Sequence, residues 1–157
     1  MAYTTQPRAV SVSGRSRVAA AAVAALYSLY HYADPLTAIG EARRVLRPGG
    51  IFAACAPNRD SHPELAGLVP GWGEASTFDG EDAPEIVARA FGASGDLVEA
   101  DRWDGPLVTL SSVAAAAAWL RVHGLSAGVA AMAAATLDLP LTLTVRGCVV
   151  YATKRSR

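Results

Sequence analysis

Cysteine is scarce in this sequence: Cys55 and Cys148 are the two in 157 residues. Neither belongs to a Cys-x-x-Cys pair or a Cys/His cluster. That excludes a disulfide scaffold and a zinc site and leaves buried, reduced thiols in a cytoplasmic protein as the expectation. Net charge is missing as well, since 14 basic residues balance 14 acidic ones and the pI is about 6.8. Such a chain has no bulk attraction for nucleic acid or an anionic membrane, and neither is expected as a partner. The apolar stretch from Val18 to Leu29 falls short of the roughly 20 residues that a membrane-spanning helix needs. No metal constellation, nucleophile elbow or phosphate loop occurs. Hydrophobic residues reach 52%, but alanine supplies much of that, so the packing volume is smaller than the figure suggests. A single domain with one core is what this length allows.

What is present centres on Leu26 to Pro57. An apolar run ends at His31, and Asp34-Pro35 can cap and start a helix, with Asp at the N-cap and Pro at the first helical position. Leu36, Ile39, Ala42 and Leu46 then share one helical face. Arg43, Arg44 and Arg47 crowd the last turn, where positive charge suits the helix dipole. Pro48-Gly49-Gly50 stops the helix, and Ile51 to Ala56 reads as a strand buried on both faces. Strand, helix and parallel strand is the economical arrangement.

Those residues, His31, Asp34-Pro35, Glu41 and Arg44-Val45-Leu46-Arg47-Pro48-Gly49-Gly50 with its following strand, resemble the class I S-adenosylmethionine-dependent methyltransferases, in particular the type 11 methyltransferase domain. The likeness runs from about Ala22 to Lys154 and weakens after Asp60. It implies an α/β fold, a partial Rossmann-like sheet of about four strands with flanking helices. In the family's scheme these strands are ordered 4-5-7-6, with the last one antiparallel. It also implies S-adenosylmethionine as cofactor, a small-molecule methyl acceptor, and Tyr27 and Ser28 beside the cofactor's methionine moiety.

The N-terminal half of that fold is what the sequence lacks. The family grips its cofactor with a Gly-x-Gly-x-Gly turn and an acidic residue that takes the ribose hydroxyls, the logic of dinucleotide folds. Gly14 is the sole glycine before Leu26, and no such acid follows it. The absent half would take roughly 70–100 residues at about 30 per βαβ unit. Residues 1–17 form an irregular N-terminal segment, and 18–157 the C-terminal part of the domain. Read otherwise, the segment is a basic leader before an apolar stretch. Val18 to Ala25 suits an alanine helix, but its position before a crossover favours a strand at about Val23 to Leu29.

After Pro57, the irregular segment Asn58 to Thr77 is long enough to be functional. It lies where the resemblance puts the methyl acceptor. Arg59 and Trp72 are candidate substrate-binding residues. His62 and Arg59 are open between a solvated loop and a catalytic role, and Trp72 between a lid anchor and an acceptor wall. Asp79-Gly80-Glu81-Asp82 caps a helix striped by Ile86, Val87, Ala90 and Phe91. Leu97–Trp103 and Leu107–Leu110 read as strand interrupted by Asp104-Gly105-Pro106. Ser111 or Ser112 starts a helix with Val113, Ala116, Ala117 and Leu120 on one face, and His123 in its last turn suits the dipole. Ser126 to Leu137 is a further helix. Leu141 to Thr153 is a strand whose Gly147 suggests a bulge, followed by a solvated basic tail of Lys154, Arg155 and Arg157.

The candidate catalytic base is His31, placed at the end of the first strand beside Tyr27 and Tyr30; its alternative is a structural histidine bonded to a backbone carbonyl. Two functions follow. One is a truncated methyltransferase. The other is a non-catalytic, degenerate binding or dimerisation module. The first strand would leave an open edge that invites homo- or hetero-association.

Overall fold

Alanine is the strongest helix former, yet Ala20–Leu26 is a strand, β1. Tertiary context decides it: Val23 and Ala25 pack against the core, and β1 runs parallel to the next strand with Val23 opposite Phe52 and Leu26 opposite Cys55. The computed structural model describes residues 19–69, 72–73, 76–92 and 96–155. The irregular segment 1–17, with Gly14, and Arg157 lie outside them. β1 starts and stops three residues earlier than expected. Tyr27 takes a left-handed backbone, φ 48°, and Leu29–His31 then coil into a 3₁₀ turn that buries Leu29.

α1 (Pro35–Val45) begins as its sequence requires. Asp34 accepts a hydrogen bond from the Thr37 amide at 3.2 Å, and Pro35 occupies the first turn. Ile39 is buried beneath it. At the far end Lys154 Nζ donates to the carbonyls of Arg43 (2.8 Å) and Leu46 (2.6 Å). Lys154 is therefore a helix cap, not part of a solvated tail. Arg47 lies beyond the helix, in β2 (Leu46–Pro57). Pro48-Gly49-Gly50 falls inside this strand: Ala20 pairs with Leu46 but Ala22 with Ile51, so these residues bulge out of the ladder.

α2 (Ala83–Phe91) follows the acidic turn, where Asp79 Oδ1 accepts from the Glu81 amide at 2.8 Å. Val87 and Phe91 are buried, and Phe91 stacks on Phe52 with ring centroids 5.6 Å apart. β3 (Leu97–Leu110) is one strand, not two. Asp104, Gly105 and Pro106 stay paired, and the irregularity is a register shift between Pro106 and Val108. A proline is tolerated there because β3 is an edge strand. α3 (Val113–Val122) is capped by Ser112 and α4 (Ala127–Thr136) by Ser126. Ala116 and Leu120 are buried, but Val113 is exposed.

β4 (Leu141–Thr153) completes the sheet. Gly147 makes no bulge. It pairs with Pro57 on one side and Trp103 on the other, and the Trp103 ring lies where a Cβ would stand. The order is β1-β2-β4-β3, with β1 parallel to β2 and β4 antiparallel to both neighbours. That is the arrangement expected from the resemblance.

Two cores result. α1 and α2 cover Phe52, Cys148 and Val150, while the α3–α4 pair covers Leu110 and Leu143. Strand alternation puts Leu143 on the opposite face from Cys148 and Val150, so the two helical layers take opposite sides and opposite ends of the sheet. Leu26, Ile51, Leu97 and Tyr151 are exposed. Asp96 ties the structure together, bonding Arg43 Nε at 2.7 Å and the Arg155 amide at 2.8 Å. Both cysteines are buried and free.

Candidate functional site

Parallel strands present ligand sites at their carboxyl ends. Here a cleft of about 470 Å³ opens beyond Tyr27 and Pro57, the residues that end or follow β1 and β2. Tyr27 and Tyr30 line one side. His62, Trp72, Trp119 and His123 form a cluster of rings in the cleft's lining, which Arg59 and Arg146 also join. Of the residues singled out in the sequence, Tyr27, Arg59 and Trp72 come together in this cleft. Ser28 and His31 are not among its lining residues. His31 is exposed in the 3₁₀ turn, its ring 4.3 Å from that of Tyr30, rather than at the end of the strand.

The ring wall is built by three separate segments. The turn after β2 carries His62 in a left-handed conformation, φ 58°, with its amide donating to Thr144 O at 2.7 Å. Trp72 Nε1 donates to Ser61 O at 3.2 Å. α3 supplies Trp119 and, one turn later, His123, whose rings stack with centroids 3.7 Å apart. His62 meets Trp119 edge-on at 5.0 Å and Trp72 at 5.6 Å. Among the described non-glycine residues only Tyr27 and His62 have positive φ. Strained backbone of this kind collects at functional sites, and these two face the same cleft from different walls.

Electrostatics separates the candidate groups. Burial, then the hydrogen bond and charge of Cys55, push the Tyr27 phenol up to about 12. Tyr30 is raised by burial and then Cys55. Neither tyrosine can serve as a base near neutrality. His62 moves the other way, lowered by burial and then by His123. The two arginines are already engaged. Arg59 pairs with Asp82 and, at 3.4 Å, with Asp79, while Arg146 pairs with Asp60 at 2.8 Å and Asp104 at 3.1 Å. Glu64 anchors the turn from outside the cleft. Burial raises its carboxyl, but hydrogen bonds from the Thr144 hydroxyl and amide outweigh this and leave its pKa lowered. Among the described residues no group of three metal-ligating side chains assembles, and no helix is long and apolar enough to cross a membrane.

Trp119 escaped the sequence reading, and His123 enters it only as a residue that suits the helix dipole. Their spacing of one helical turn was the available signal, but an alanine-rich helix gave no reason to bring that face to the loop after β2.

The comparisons agree with this geometry. Residues 19–54 match the methyltransferase domain family. No curated protein matches the chain. The YcgJ protein of Bacillus subtilis superposes with a TM-score of 0.58 at 14% identity, covering 89% of this chain and 66% of that one. A candidate methyltransferase from Bacillus halodurans C-125 gives 0.56 at 12% identity, covering 88% and 66%. The cyclase SpnF gives 0.50 at 21% identity, covering 89% and 52%. The chain thus spans just under two thirds of the first two structures and about half of the third. The likeness expected from Leu26–Pro57 is met in the family match over residues 19–54 and in the fold, a four-strand α/β sheet similar to part of these structures.

Proposed function

We propose that this chain supplies the acceptor side of an S-adenosylmethionine-dependent methyltransferase and that its cleft receives a small-molecule acceptor. The observation that carries this is the position of the cleft. It lies at the carboxyl ends of β1 and β2, lined by Tyr27 and Tyr30 from within the 19–54 family match and otherwise by residues that follow it. Methyl transfer is an in-line displacement that depends on alignment, and a preformed cleft beside the strand ends provides a place for it.

The donor fits these residues poorly. Tyr27 lines the cleft and Ser28 does not, and among the described residues no glycine turn adjoins β1. The first acid after β1 in the sequence, Asp34, is occupied by Thr37, and the acid that lines the cleft, Asp79, is paired with Arg59. No step through the donor is therefore derived. The outer edge of β1, with which no strand pairs among the described residues, favours the second reading, a non-catalytic binding or dimerisation module. Fold alone does not choose between them, and SpnF shows that this sheet is also found in a cyclase. Free, buried Cys55 and Cys148 support a cytoplasmic setting.

Calorimetry with S-adenosylhomocysteine separates the readings. Heat of binding that is lost in Tyr27→Ala supports the transferase. No heat at millimolar ligand leaves the binding module.

A further inference from the structure

We propose that His62 is the hydrogen-bond acceptor for the ligand of this cleft, and that the ligand is an uncharged, hydroxylated aromatic ring. This rests on the acceptor-side reading above and names the chemistry of that site.

The geometry comes first. His62 is held by its left-handed backbone and by its amide bond to Thr144, with its ring set edge-on to Trp72 and Trp119. Among the described residues its ring nitrogens have no hydrogen-bond partner, although the ring lines the cleft. A neutral imidazole offers one donor and one acceptor, so an unengaged ring here is ready for a ligand. His123 behaves differently. Its Nδ1 lies 2.9 Å from Trp119 O, which can only accept, so Nδ1 donates there and is already engaged within the protein.

Charge then narrows the ligand. Arg59, Asp79 and Arg146 line the cleft, but all three are engaged in ion pairs within the protein. With these charges already balanced inside the protein, a neutral ligand needs no counter-ion from the cleft. The lining favours a flat shape, because the rings of Tyr27, Tyr30, Trp72 and Trp119 all belong to it. Such surfaces gain most from offset or edge contact with a second ring. Burial and then His123, against the opposing charge of Glu64, lower the His62 pKa and so favour the unprotonated ring, the form that accepts a hydroxyl hydrogen.

The test is a titration of the full chain with β-naphthol and with its methyl ether. NMR follows the indole N–H groups of Trp72 and Trp119 and the imidazole nitrogens of His62. Naphthol should bind about fivefold tighter than the ether, the worth of one hydrogen bond, and should shift the indoles and His62 together. His62→Asn suits the left-handed turn but cannot reach as far. It should bring the two probes to near parity while the indoles still respond. Equal affinity in the unaltered protein, or a preference that survives His62→Asn, overturns the role of His62. No indole shift with either probe overturns the acceptor cleft itself. If His62→Asn does not fold, the imidazole signals of the unaltered protein decide, and naphthol that leaves them unmoved overturns the proposal.

Discussion

His62 ties stability to pH. Its folded pKa lies below the ordinary 6.5, so in the interval between the two values the unfolded chain binds a proton that the native protein does not. Stability should be complete above about pH 6.5, fall as pH drops towards the folded value, and then level off. Denaturant melts across this range should show that slope, and His62→Asn should flatten it. Glu64 adds a separate loss at lower pH. Its lowered pKa contributes stability above the ordinary carboxylate value, and that contribution disappears as pH falls through the folded one. Gly147 is constrained by contact, not by its backbone. Gly147→Ala places a methyl against the Trp103 ring and should cost about 1–3 kcal/mol in chemical denaturation. None of these three roles was readable in sequence, because each depends on a partner brought from far along the chain. His62 needed Thr144 and Trp119, Glu64 needed Thr144, and Gly147 needed Trp103.

At the scale of the element, local chemistry was far more legible. Asp34-Pro35, Ser112 and Ser126 start helices where their side chains say they should. Ser112→Ala should lower stability by about 1 kcal/mol, the usual worth of an N-cap, measured by thermal or urea melts. The errors fell where local signals mislead. Pro48-Gly49-Gly50 resembles a helix stop, but Leu46 has already turned to extended backbone. Asp104-Gly105-Pro106 resembles a strand break, yet thirteen residues of β3 stay in register with β4 through it, apart from one shift. Lys154 looked like tail because its carbonyl partners lie 108 and 111 residues earlier. Lys154→Met should loosen the end of α1 and cost about 1 kcal/mol, with the loss of amide protection confined to its last turn.

For the whole molecule, the strand order could be anticipated because the Leu26–Pro57 unit fixes a parallel pair and its resemblance supplies the rest. The cleft could not, since its walls meet only after the sheet has formed. Among the described residues no strand pairs with the outer edge of β1, and exposed Leu26 lies beside it. Such an edge promotes association. Sedimentation at micromolar concentration should show mass rising with concentration, and Leu26→Lys should suppress the rise; a single monomeric species in both would remove the expectation.

The two helical layers share a sheet but not a core, and the cleft draws its tyrosines from one side of that division and most of its ring wall from the other. Sub-global opening should therefore come in two classes of amide exchange rate, with α3 and α4 opening as one unit. A molecule lodged in the cleft would bridge both units and slow exchange even in α4, which contributes no residue to its lining.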